Sequence, residues 1–180
     1  MRRFRTKFAS AASWAEFSTT TKMIQRIQSV FLLLLALAML SVLALPLWHK
    51  ADALTHQQLT LTATGFRAEG WELPAGTGPV WLIAVLAVAS AVVAVFEIFQ
   101  FKNRARQLML GSLNLLLIVA TIGAVFYFST KGEQLLNVKL TGEYLSGTYL
   151  VPLTLLLNLL ASRFIRNDER LVRNSYDRLR

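Results

Sequence analysis

Apolar positions along this chain gather into four long blocks, residues 27–47, 80–101, 108–128 and 148–165, separated by charged segments. Each block is close to the ~20 residues that carry an α-helix across ~30 Å of hydrocarbon. The pattern predicts an all-α membrane protein, a four-helix transmembrane bundle within residues 23–165. The first block is followed by three more and passes through Leu45, Pro46, Leu47 and Trp48 without a small-x-small cleavage pattern. It is therefore expected to be a retained helix and not a signal peptide.

Between the blocks the periodicity changes. Residues 59–66 alternate apolar and polar and are rich in Thr, the period-two signature of a half-buried strand. Residues 136–140 alternate in the same way and lead into the turn-prone Thr141 and Gly142. An isolated strand is unstable in water, so the two segments are expected to pair as a small β-element capping the bundle. Gly70, Pro74, Gly76, Gly78 and Pro79 mark an irregular return to the second helix. Trp48, Trp71, Trp81, Tyr127, Tyr144 and Tyr149 fall near the capped interface and read as aromatic anchors.

Charge orients the bundle. Arg2, Arg3, Arg5, Lys7, Lys22 and Arg26 precede the first block, Lys102, Arg104 and Arg106 separate the second from the third, and six arginines from Arg163 to Arg180 close the chain. The other two connections hold only Lys50, Arg67, Lys131 and Lys139. Lys and Arg flanks stay on the cytoplasmic side, so both termini are expected there and the two β-rich connections outside. The net charge of +9 clusters at helix ends with no soluble domain to form a recognition surface. It implies contact with anionic headgroups and no nucleic-acid role.

Residues 166–180 form a basic tail expected to be a cytoplasmic amphipathic helix. Phe164, Leu171 and Leu179 recur at helical spacing beside Ile165, Val172 and Tyr176, with Arg on the opposite face. Glu169 with Arg173, and Arg173 with Asp177, are four apart and can pair along the helix. Arg166, Arg170, Leu171, Val172, Arg173 and Tyr176 are the candidate residues for docking on a partner or lying on the inner leaflet.

Inside the blocks one ionisable residue stands out: Glu97, within Phe96-Glu97-Ile98. A charge within a span is costly and is by default a functional candidate whose partner must be named. Arg104, Arg106 and Asn114 are the candidates, and together with Glu97 they make a candidate intramembrane polar site. The structural alternative is that Glu97 reaches the interface from its helix end. Ser41, Ser112, Thr121, Thr154 and Asn158 fit interhelical hydrogen bonding, and Gly111 and Gly123 fit close helix approach.

His49 and His56, with Asp52 between them, are all in the first outward connection, and their spacing matches no metal signature. The chain has no cysteine, which removes thiol-based quinone chemistry and disulfide stapling. No catalytic, cofactor or metal residue is assigned.

Residues 1–22 are rich in Arg, Ser and Thr and poor in acids, whereas Met23 opens directly onto the first block. They read as a basic N-terminal extension, with Met23 as an alternative start. Met23-Ile24-Gln25-Arg26-Ile27-Gln28, Phe101-Lys102-Asn103-Arg104, and Ile165-Arg166-Asn167-Asp168-Glu169-Arg170-Leu171-Val172-Arg173 with Asp177-Arg178-Leu179-Arg180 resemble the family catalogued as domain of unknown function 4293, found in Bacteroidota and relatives. The resemblance covers residues 23–180 and implies a multi-pass bacterial inner-membrane protein of four spans. It implies no activity.

Three functional expectations follow. The first is a noncatalytic accessory, scaffold or assembly subunit of a larger membrane complex. The second is a small oligomeric carrier or ion-conducting protein using Glu97. The third is a lipid- or quinone-interacting membrane enzyme built on His49, Asp52 and His56.

Overall fold

A computed structural model of the chain describes residues 28–74, 76–100, 103–136 and 140–177, with the side chains of Arg104 and residues 168–177 outside that description. The N-terminal extension, Asn137 to Lys139 of the second β-segment, and the tail side chains Arg170, Leu171, Val172, Arg173 and Tyr176 lie outside it. Helix α1 (Gln28–Ala44) is followed by strands β1 (Trp48–Asp52), β2 (Gln57–Leu61) and β3 (Phe66–Glu69), helices α2 (Leu82–Phe99) and α3 (Arg104–Leu135), strand β4 (Glu143–Tyr144) and helix α4 (Ser146–Asp177).

Three of these helices, Leu82–Phe99, Ala105–Leu135 and Ser146–Asn167, are long and apolar enough to cross a membrane, while Gln28–Ala44 is a shorter apolar helix. The predicted first block runs to Leu47, but the helix stops at Ala44. Pro46 has no N–H for the ladder, and the residue before proline is pushed out of the helical region. Leu47 N instead donates to Leu61 O, 2.8 Å away, and the chain enters the sheet. Helix α3 starts earlier than expected because the Asn103 side chain accepts from Arg106 N at 3.2 Å, an N-cap.

The helices bury polar groups inside and show apolar ones outside. On α3, Gln107, Gly111, Asn114, Ile118, Thr121 and Val125 recur every three or four residues and are buried, whereas Leu113, Leu116, Val119 and Phe126 are about half exposed. Leu33, Leu37 and Leu40 on α1, Val88, Val92 and Phe96 on α2, and Leu156 and Leu160 on α4 are exposed too. So continuous an apolar exterior needs lipid around it.

The sheet is antiparallel, in the order β3-β2-β1-β4. The single expected strand at 59–66 is in fact two, β2 and β3. They are separated by a turn in which Thr62 N and Oγ1 both donate to Gly65 O, at 2.9 and 2.7 Å. Residues expected to be interfacial loop form β1, one of the two inner strands. The second β-rich connection does join the sheet, through β4, whose residues Tyr144 and Glu143 pair with Trp48 and His49 of β1 and not with β2.

Trp48, expected as an interfacial anchor, is 1% exposed. Its indole packs over Gly132 of α3 and Gly142 before β4, where a methyl at Gly132 would come within 2.7 Å of Cζ3. Trp81, Tyr127 and Tyr149 are exposed, as anchors should be.

Candidate functional site

Helix α2 leaves the sheet end of the molecule and α3 returns to it, so the last turn of α2, the first turns of α3 and the lower half of α4 meet at the far end. Glu97 stands there, fully buried with 0% exposure. It falls on the buried stripe Ile83, Ala87, Ser90, Ala94 and Glu97 of α2, spaced at helical intervals so that its side chain must face the neighbouring helices.

Gly111 of α3 makes room for it. A methyl built there would lie 3.1 Å from Glu97 Oε1 and 3.2 Å from Ser162 Oγ of α4, so the carboxylate and the hydroxyl share the hollow that a missing side chain leaves. Asn158, one turn up α4, donates from Nδ2 to Gly111 O at 3.1 Å. Gln107 donates from Nε2 to the Glu97 carbonyl at 3.3 Å, beside the 3.2 Å bond that Gln100 N makes to the same oxygen at the end of α2. Both carboxylate oxygens of Glu97 and Oδ1 of Asn158 are buried without a hydrogen-bond partner.

Of the expected site residues whose side chains are described, Glu97 alone occupies it. Asn114 is buried but turns to Ser90, whose Oγ donates to its Oδ1 at 2.6 Å. Arg106 is exposed on α3 and lines a separate, wide groove of about 780 Å³ with Phe96, Gln100, Met109 and Leu113. The Arg104 side chain lies outside the described residues. Arg166 is exposed and lines a groove of about 270 Å³ between α3 and α4, with Gly111, Leu115, Asn158 and Ser162 on its walls.

The histidines of the first connection do not converge. Along β1 the side chains alternate, placing Trp48, Lys50 and Asp52 on the buried face and His49 on the other. His49 Nδ1 lies 3.0 Å from Thr60 Oγ1, Asp52 Oδ1 accepts from Leu54 N at 2.9 Å, and His56 is exposed in the turn. Among the described residues no group of three His, Cys, Asp or Glu side chains could hold a metal ion.

Residues 24–179 match the family model described as a domain of unknown function (DUF4293). The chain belongs to the DUF4293 family. The matched span takes in all four helices, the sheet and every residue of the Glu97 cluster. No curated protein matches the chain. In this DUF4293 chain Gly111 and Ser162 beside the carboxylate, and Asn158 bonded to the Gly111 carbonyl, were separable from ordinary helix-packing residues only by their register. Gly111 lies four residues from Gln107 and Asn158 four from Ser162, one face on each helix.

Proposed function

We propose that this protein crosses a bacterial inner membrane four times, with both termini in the cytoplasm and the sheet outside, as a noncatalytic accessory, scaffold or assembly subunit of a larger membrane complex. The orientation rests on the Lys and Arg asymmetry of the connections. The fourth crossing is α1, which at Gln28–Ala44 lies at the short end of the ~17–25 residues that span a bilayer.

The observation that carries the reading is the continuity of α4. Its apolar stretch ends at Asn167, yet the helix runs unbroken to Asp177, about 15 Å further. Past Pro152, near its start, α4 has no proline, and a helix without one bends only gently. The tail therefore projects from the bilayer as a stalk and does not fold back onto the leaflet, and a projecting basic helix meets proteins more readily than headgroups. A crosslinked pull-down in mild detergent from native membranes tests this. A stoichiometric partner lost when residues 168–180 are deleted sustains the reading, and recovery of the protein alone, with or without the tail, overturns it.

A second reading, a small oligomeric carrier or ion-conducting protein, is favoured by Glu97 and its unpartnered oxygens inside the bundle. Proton or cation flux into liposomes holding the purified protein, abolished by Glu97→Gln, is its direct test. The enzyme expectation has no such support, since His49 and Asp52 face opposite sides of β1.

A further inference from the structure

We propose that Glu97, Ser162 and Asn158 form a binding site for a small monovalent cation, a proton or a bare alkali ion, reached through the groove between α3 and α4. The proposal deepens the carrier reading by naming its ligand class, and it concerns binding alone.

The first argument is an imbalance of donors and acceptors. Three buried oxygens at one end of the bundle, Glu97 Oε1 and Oε2 and Asn158 Oδ1, lack a donor. The orientation of the Asn158 amide is fixed, because its other end meets Gly111 O, which can only accept. The other polar side chains of these spans find partners: Ser90 with Asn114, Thr121 with Leu117 O, Thr154 with Val151 O. The unpartnered Asn114 Nδ2 lies about a turn away along α3, and the single hydroxyl proton of Ser162 cannot satisfy three oxygens. A carboxylate held out of water without a counter-charge is among the costliest arrangements a protein can make. A cation removes that cost, and a surplus of oxygens is what coordinates one.

The second argument is that, among the described residues, no side chain supplies the charge. The described charged residues on the surrounding elements are Arg106 on α3 and Arg163 and Arg166 on α4, all exposed, and Lys131 and Glu133 at the opposite end of α3. The buried polar neighbour on α1 is the neutral Gln28, and the one ion pair among the described residues is elsewhere, between Lys50 and Glu133.

The third is access. The groove of about 270 Å³ runs past Arg166 to Gly111, Asn158 and Ser162, with the carboxyl group on the other side of Gly111 and Ser162, and it has room for several waters at ~30 Å³ each. Arg166 at its wall repels a cation and competes for the carboxylate, so removing its charge should tighten binding.

The apolar reagent dicyclohexylcarbodiimide reads occupancy directly. A protonated carboxyl adds across one C=N bond to give an O-acylisourea, which rearranges to a stable N-acylurea with no group leaving. Applied to the full chain in mild detergent, it should mark Glu97 by peptide mass spectrometry, with no adduct at that position in Glu97→Gln. Labelling that slows several-fold as pH rises identifies the proton. Labelling that also slows saturably with Na⁺, K⁺ or Li⁺ at fixed pH and ionic strength identifies an alkali ion. Arg166→Gln should shift either protection curve toward lower cation concentration, and Gly111→Ala, with its unfolding midpoint measured alongside, should shift it the other way. No adduct at any pH in a folded protein, or labelling indifferent to both pH and salt, overturns the site. Protection without flux in liposomes would leave the site standing and remove the carrier.

Discussion

Lys50 Nζ lies 2.6 Å from Glu133 Oε2, with the lysine side chain wholly buried and the glutamate 34% exposed. The same ammonium donates to the Glu133 carbonyl at 3.0 Å, while Glu133 Oε1 accepts from Gly142 N at 2.6 Å. One glutamate on α3 thus fastens both the inner strand β1 and the approach to β4, and the cap is joined to the bundle by charge as well as by the Trp48 indole.

The unequal burial of the pair predicts unequal costs. Glu133→Ala strands a buried ammonium and should lower stability by roughly 3 kcal/mol, the low end for breaking a buried pair. Lys50→Met leaves a carboxylate that keeps its bond from Gly142 N and can turn to water, and should cost about 1 kcal/mol or less. Thermal unfolding of the two variants in one detergent checks the order, and equal losses would contradict it.

The three glycines of α3 have different surroundings, so alanine should act differently at each. Gly123 has nothing within 4 Å of where a methyl would sit, contrary to the close approach expected there, and Gly123→Ala should leave the melting temperature unchanged or slightly higher by helix propensity. Gly132→Ala drives a methyl against Trp48 and should cost roughly 1–3 kcal/mol of overpacking. Gly111→Ala falls between, because Ser162 and Glu97 can each give by a few tenths of an ångström. Melting temperatures measured side by side test the ranking.

Ser90 and Asn114 are both fully buried and joined by a single hydrogen bond of 2.6 Å. Ser90→Ala should cost about 1 kcal/mol, the scale of interhelical bonds in membranes. The double change Ser90→Ala with Asn114→Leu should recover part of that loss, because it also removes the unpartnered Asn114 Nδ2. Unfolding of both variants separates this from a simple additive loss.

Hydropathy made the helices legible, because apolar length is what a bilayer demands and nothing else imitates it. It misjudged their ends, which depend on single residues: Asn103 capping α3, Pro46 stopping α1. The β-rich connections were half legible. Alternation at 59–66 located a sheet, but Trp48 to Asp52 hid an inner strand because its inward residues include two polar groups, Asp52, bonded locally to Leu54 N, and Lys50, buried through a partner far along the chain. Glu97 was visible as a charge in an apolar run. Its surroundings were not, because Asn158 and Ser162 lie more than sixty residues away and only the helix packing brings them to Gly111.

The absence of cysteine makes single-cysteine accessibility the most direct test of the membrane architecture. Leu54→Cys sits in the β1–β2 turn, at a position 89% exposed, Asn167→Cys lies at the exposed far end of α4, and Ser10→Cys precedes α1. With a membrane-impermeant maleimide on spheroplasts, Leu54→Cys should label at once and the other two only after permeabilisation. Labelling of Asn167→Cys or Ser10→Cys in intact spheroplasts, or protection of Leu54→Cys, would contradict the four-span arrangement.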